Sequence, residues 1–281
     1  MLQRVVVYGH HDVDARVAAY SKVIDPQYVL TSGLEDVNDT VLVDLQGHDD
    51  NSEAARVLAY GAWVVTRGCP STKATGGLCW QDYDRLIIAQ PARYDPWQIS
   101  MRNQISTGVL GDLVSMRWIV LTGEDSWLPR GVIEDHAYSK LDAMAAILGI
   151  PQRVMACTLQ LKRNVPDTLI VTMVAPGSGA QGYLEICCCH PTGCDMEQIE
   201  VVGTKGMLEY HSDMNRTIRQ SWDSKVVRKE AFWHPPLESM IAEYVSIVSA
   251  PVVRDTQLPS TSAAIDLVDR VVRSSATNQP Q

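Results

Sequence analysis

Up to residue 89 the chain alternates short β-rich apolar runs with helical patterns, and beyond Asp112 strand follows strand with few helices between them. No single sheet satisfies both grammars. Residues 4–8 make a first apolar run, followed by the turn Gly9-His10-His11-Asp12 and a helical pattern through Val13, Val17, Ala18 and Tyr20. Runs at 28–31, 40–45, 62–66 and 86–89 predict further strands, while 52–59 predicts a helix and 96–107 a helical crossover. Such alternation implies a parallel, doubly wound sheet that binds ligands at the carboxyl ends of its strands. Residues 9–12, 45–48 and 67–70 should then converge on one crevice. His10, His11 and His48 fall at these strand ends, where a loop histidine serves as acid, base or ligand; solvated loop histidines are the equal alternative. Cys69 is a candidate nucleophile in the same place, although nothing in its surroundings signals a lowered pKa.

Beyond Asp112, strands are predicted at 113–121, 153–161, 168–175, 182–189, 199–202 and 207–210, with a tight turn at 204–206 and terminal helices at 236–249 and 262–274. The tail SSATNQPQ is expected to fray. The expected fold class is α/β plus α+β: a parallel sheet domain over 1–111 and an open, mostly antiparallel sheet domain over 112–281, with the terminal helices free to pack back on the first.

One helix joins the two themes. In GVIEDHAYSKLDAMAAILGIP, Ile133, Ala137, Leu141, Met144, Ala145 and Leu148 fall at helical spacing, and Gly149 followed by Pro151 ends the run. Asp135, Ser139 and Asp142 make a polar stripe on a second face, whose plainest reading is a solvated edge. His136 is about 100° round the helix from Asp135 and should face elsewhere.

The net charge of −9 argues against nucleic acid and anionic membrane surfaces, both of which demand clustered Lys and Arg. No apolar stretch is long enough to span a bilayer, and MLQRVVVYGHH reads as a strand, so a cytoplasmic protein is expected. Seven irregularly spaced cysteines do not make a disulfide framework and are expected to be reduced. Cys187, Cys188, Cys189, His190 and Cys194 invite a metal reading. Strand geometry opposes it: Cys187 and Cys189 face one way and Cys188 the other, so no metal is expected.

Three stretches carry a family resemblance. RYDPWQISMRNQISTGVLGDL is similar to an R-x-x-P, helix, G-x-x-G segment, IEVVGTKGMLEY to an I-x-x-x-G-T-x-G-x-L-E hairpin, and GVIEDHAYSKLD to G-x-x-x-D-x-G-x-H-x-x-D. Together they resemble the glucose-fructose oxidoreductase and inositol dehydrogenase family, Gfo/Idh/MocA. The resemblance implies a Rossmann domain followed by an open-sheet α+β domain, and a homodimer through the second domain's sheet. It carries Arg93, Pro96, Gly108, Gly111, Gly131, Asp135 and Asp142 across.

The departures fall on the family's chemistry. Its G-x-G-x-x-G nucleotide turn aligns with Gly9, His11 and Asp14, so bulk and negative charge replace two glycines where a pyrophosphate would approach. The stretch before residue 40 is also short, as if the nucleotide half were truncated. The family's E-K-P motif aligns with Gly68-Cys69-Pro70, and the histidine of D-x-G-x-H becomes Ser139. The resulting expectation is a cofactor-independent enzyme that binds a small, largely apolar substrate in an inter-domain cleft. Its reaction would be a cyclisation, isomerisation or elimination in the biosynthesis of a specialised metabolite. Asp135, Ser139 and Cys69 are its candidate catalytic residues. Tyr94, Trp97, Trp118 and Trp127 would line the site with Arg93 and Arg130 as polar anchors, the alternative being core tryptophans and surface arginines. Two rivals remain: an NAD(P)-dependent oxidoreductase with a remodelled nucleotide site, and a non-catalytic ligand sensor or regulatory protein.

Overall fold

A computed structural model of the chain describes residues 4–9, 13–30, 42–47, 54, 57–58, 61–66, 85–88, 94–123, 128, 131–212, 217–222, 225–231, 237–249 and 261–281. In chain order these make β1 (Val5–Gly9), α1 (Val13–Val23), a 3-10 turn (Pro26–Tyr28), β2 (Val29–Leu30), β3 (Leu42–Gly47), β4 (Trp63–Thr66), β5 (Leu86–Ile88) and α2 (Pro96–Ser106). There follow β6 (Leu113–Gly123), a π turn (Ile133–Ala137), α3 (Tyr138–Leu148), β7 (Arg153–Leu159), β8 (Thr168–Val174) and β9 (Gln181–His190). The chain continues through β10 (Met196–Gly203), β11 (Gly206–His211), β12 (Thr217–Trp222), β13 (Lys225–Ala231), α4 (Leu237–Ser249) and α5 (Thr261–Thr277).

Two compact units result, one from Met1–Tyr94 with Pro235–Thr261, the other from Asp95–His234 with Ser262–Gln281. The first is a parallel sheet in the order β2-β1-β3-β4-β5. Val5, Val6 and Val7 are all buried, as befits a strand covered on both faces. Its core joins Val5, Val7, Leu42 and Val65 of the sheet to Ala19 and Tyr20 of α1 and to Met240, Ile241 and Tyr244 of α4. Thus a helix near the end of the chain completes the first unit.

The second unit is an eight-stranded sheet in the order β13-β12-β11-β10-β6-β9-β8-β7. All neighbours are antiparallel except β6 and β9. Alternation along β9 buries Gly182, Leu184, Ile186 and Cys188 on one face and leaves Tyr183, Glu185, Cys187 and Cys189 half-buried on the other. Asp95 caps α2 by accepting the Trp97 amide at 3.3 Å, with Pro96 in the first turn.

The hairpin of β12 and β13 escapes the sequence reading, and the tail does not fray. Gln281 exchanges two backbone hydrogen bonds of 2.8 Å with Val154, and Arg270 holds the Gln281 carbonyl at 2.9 Å. The tail therefore satisfies backbone groups along the edge strand β7, the edge that would otherwise invite pairing. Among the described residues no helix is long and apolar enough to cross a membrane.

The two glycine motifs of the second unit lock together. The Lys205 and Thr204 amides donate to the Leu110 and Asp112 carbonyls at 2.8 and 2.9 Å, and Thr204 Oγ1 accepts from the Asp112 amide at 3.1 Å. A Cβ on Gly203 would lie 2.3 Å from the Leu110 carbonyl oxygen. This close approach explains why the hairpin begins with glycine.

Candidate functional site

In the first unit the strand order reverses between β1 and β3, and there the crevice of a doubly wound sheet opens at the carboxyl ends. Both strands end in glycine, and Gly9 pairs with Gly47 after a register shift. Among the described residues, two glycines without side chains thus end the strands at the switch point. α1 starts four residues after Gly9, with Asp14 exposed in its first turn. Thr66, at the carboxyl end of β4, is buried with no hydrogen-bond partner for Oγ1 among the described residues.

Beneath this crevice lies an ion pair that sequence reasoning missed. Arg16 Nη1 of α1 donates to Asp44 Oδ1 of β3 at 2.8 Å, both side chains being almost fully buried. Burial and the Asp44 carboxylate push the Tyr20 phenol well above its usual range, with Tyr244 adding to the effect. The pair fixes α1 on β3 three residues before Gly47. A carboxylate inside the apolar run of β3 was its signal: an aspartate there must find a cation. His10, His11, Asp12, His48, Cys69 and Arg93 lie outside the described residues, as do Trp127 and Arg130.

In the second unit the helix expected from Ile133 onward begins instead with a π turn, and regular α geometry starts only at Tyr138. A π turn adds a residue to the repeat, so Asp135 and Ser139 are not stacked as on an α-helix, and the single polar stripe is broken. Glu134, Asp135, His136 and Ser139 are all half-buried, whereas Asp142 is fully buried. His136 is therefore no more excluded than Asp135. Such turns occur frequently at functional sites.

The start of this helix is held by the β7–β8 loop. Gly131 takes φ +110, a conformation that L side chains rarely adopt, and the next amide, of Val132, donates to the Pro166 carbonyl at 2.9 Å. Asp167 is fully buried and organises that loop: its carboxylate accepts the Lys162 amide at 2.7 Å, the Leu161 amide at 3.1 Å and the Arg163 amide at 3.2 Å. Burial raises its pKa, but these amides with the Thr168 hydroxyl outweigh burial and hold the carboxyl below its ordinary range.

The aromatic candidates that are described, Tyr94, Trp97 and Trp118, are core residues. Trp97 stacks on Tyr210 at 4.3 Å and meets Trp118 edge-on at 5.7 Å; both tryptophans are buried in the second unit. Trp118 Nε1 donates to Glu197 Oε1 at 3.0 Å. Tyr94 belongs to the core of the first unit. Among the described residues no cluster of His, Cys, Asp or Glu could hold a metal ion.

Residues 99–209 match the family model of the GFO/IDH/MocA C-terminal domain. No curated protein sequence matches the chain. Among solved structures, an oxidoreductase from Agrobacterium radiobacter in complex with NAD+, L-tartaric acid and magnesium shares 16% identity at a TM-score of 0.75, over 100% of this chain and 98% of that one. Levoglucosan dehydrogenase in complex with NADH and levoglucosan shares 17% at 0.75, over 99% and 98%. An oxidoreductase domain protein from Kribbella flavida shares 14% at 0.76, over 100% and 99%.

These findings correct the expectation of a cofactor-independent cyclase, isomerase or lyase in specialised-metabolite biosynthesis. The chain keeps both sheets over nearly the full length of proteins solved with NAD+ or NADH. Asp14, the altered residue of its nucleotide turn that is described, follows a strand whose pairing is intact.

Proposed function

We propose that this chain, whose residues 99–209 match the GFO/IDH/MocA C-terminal domain, is a nicotinamide-dependent oxidoreductase acting on a hydroxyl-bearing small molecule through a remodelled nucleotide site. The observation that carries the reading is the switch point itself: a parallel sheet reversing between β1 and β3, with Gly9 and Gly47 side by side at their carboxyl ends. The fit is good in backbone and poor in one charge. Gly9 and the N-terminus of α1 would hold the dinucleotide's phosphates, while Asp14 in the first turn repels them. A bound nicotinamide supplies the hydride acceptor or donor. Asp135, half-buried at the π turn, would orient the substrate hydroxyl.

Fluorescence titration with NADH and NADPH tests the reading. Replacing Asp14→Asn removes a like charge at a helix N-terminus, an effect of about 0.3–1 kcal/mol, so binding should tighten roughly two- to fivefold. The gain should shrink at high salt. Turnover is then read with levoglucosan, L-sorbose and L-tartrate as probes, and Asp135→Asn should lower kcat while leaving NADH affinity unchanged. Absence of binding at millimolar NADH and NADPH, in both the native chain and the Asp14→Asn variant, would remove the proposal.

A further inference from the structure

On the half-buried face of β9, Cys187 and Cys189 bring their sulfurs to 3.1 Å, and Cys188 between them is buried on the opposite face. The spacing of a regular strand does not produce this approach. Residues i and i+2 are about 6.6 Å apart along a strand, at the outer limit of the roughly 4.4–6.8 Å Cα separation that a disulfide spans. β9 is not regular here. Leu121 of β6 pairs with Cys187 and Gly123 with His190, so two steps on β6 face three on β9. An extra residue of this kind bends and shortens a strand locally. On the other side of β9 the irregularity is anchored, since the Cys188 amide donates to the Asp167 carbonyl at 2.8 Å and Thr168 Oγ1 lies 3.8 Å from Cys189 Sγ.

We propose that Cys187 and Cys189 are a redox-active dithiol that a peroxide converts to an intrastrand disulfide and that a thiol reductant restores. In the first step the Cys187 thiolate attacks one peroxide oxygen; the S–O bond forms, the O–O bond breaks, and hydroxide leaves and takes a proton. In the second the Cys189 sulfur attacks the resulting sulfenic acid; the S–S bond forms, the S–O bond breaks, and the oxygen leaves as water with the Cys189 proton. Two thiols and one hydrogen peroxide give one disulfide and two waters. Burial pushes the Cys189 thiol up, and its contact with Cys187 adds to this, which assigns the resolving step to Cys189. The sulfurs need approach by only about 1 Å to reach the ~2.05 Å of a disulfide.

Peptide mapping of the full chain after equimolar hydrogen peroxide, with remaining thiols alkylated, tests this directly. Cys187 and Cys189 should both escape alkylation and appear as one linked peptide lighter by two hydrogens, and dithiothreitol should return both to the alkylated pool. Exposed Cys157 and Cys194 should remain alkylated. In Cys189→Ser the sulfenic acid on Cys187 has no partner and should be trapped by dimedone. The proposal is overturned if the native chain carries only oxygen adducts at these positions. It is equally overturned if Cys187 or Cys189 bonds to a different cysteine, or if both stay reduced while Cys157 and Cys194 react. The mapping of the native chain decides the matter even if a serine variant does not fold.

Discussion

Replacing Asp167→Asn removes one negative charge from a buried loop and keeps the shape of the side chain. Three backbone amides and one hydroxyl point at this carboxylate, at distances from 2.7 to 3.3 Å. Each hydrogen bond to a charged acceptor contributes about 1.5–3 kcal/mol, but the amides of Leu161 and Lys162 are on exposed residues and recover part of that from water. Asn keeps one acceptor oxygen and turns an NH2 toward donors. A loss of about 1–3 kcal/mol is therefore expected, read as a shift of the urea midpoint. The pH dependence supplies the sign. The folded carboxyl titrates below its unfolded counterpart, so its stabilisation is fully present above the unfolded value near 3.9 and disappears as pH falls through the folded one. The gap between native chain and variant should accordingly be constant from pH 7 to about 5 and close below about 4. Pro166 lies between this loop and the Val132 amide, so amide exchange at Val132 should quicken in the variant. A gap under about 0.5 kcal/mol, or one that persists unchanged at pH 3, would refute the assignment of charge-assisted bonds to Asp167.

Two further substitutions probe the frame around the sites. Gly203→Ala places a Cβ 2.3 Å from a backbone oxygen, so the hairpin must leave Leu110; a loss of about 3 kcal/mol or more is expected by thermal melting, whereas Gly177→Ala, with nothing within 4 Å, should cost only the ~1–2 kcal/mol of its left-handed backbone. Asp44→Asn breaks the ion pair between two almost fully buried side chains and should cost about 3–5 kcal/mol in chemical denaturation, while the double change Arg16→Met with Asp44→Leu should recover most of it.

Much of the fold is readable where one residue type meets one physical demand. Three consecutive valines in β1 can only be a strand buried on both faces, and Asp95-Pro96 marks the start of α2 by its capping chemistry. β12 and β13 were missed because strands such as TIRQSW and KVVRKEA lack a clean apolar alternation at the outer end of the sheet. The π turn is invisible to hydrophobic spacing, since one added residue leaves Ile133, Ala137 and Leu141 apolar whichever way the turn is wound. The glycines of the second unit could be read as motif letters, but not that Gly203 rests on Leu110, because that contact joins residues far apart in sequence.

The same distinction explains why the cofactor reading went astray. Loss of glycines from a nucleotide turn, and of a lysine and a histidine, is a statement about side chains. The crevice of a doubly wound sheet is made by strand order, and strand order follows from apolar runs such as those of β1, β3 and β4, none of which is interrupted except by Asp44. That exception is neutralised by Arg16, reaching over from the helix whose N-terminus faces the crevice. Two apolar residues of like volume would hold the same helix about as firmly, so stability alone does not account for a buried charge pair at this place. If nucleotide affinity in Asp44→Asn falls by more than the loss of folded protein accounts for, the clamp serves the crevice; if it falls only in step with unfolding, the pair is a structural relic.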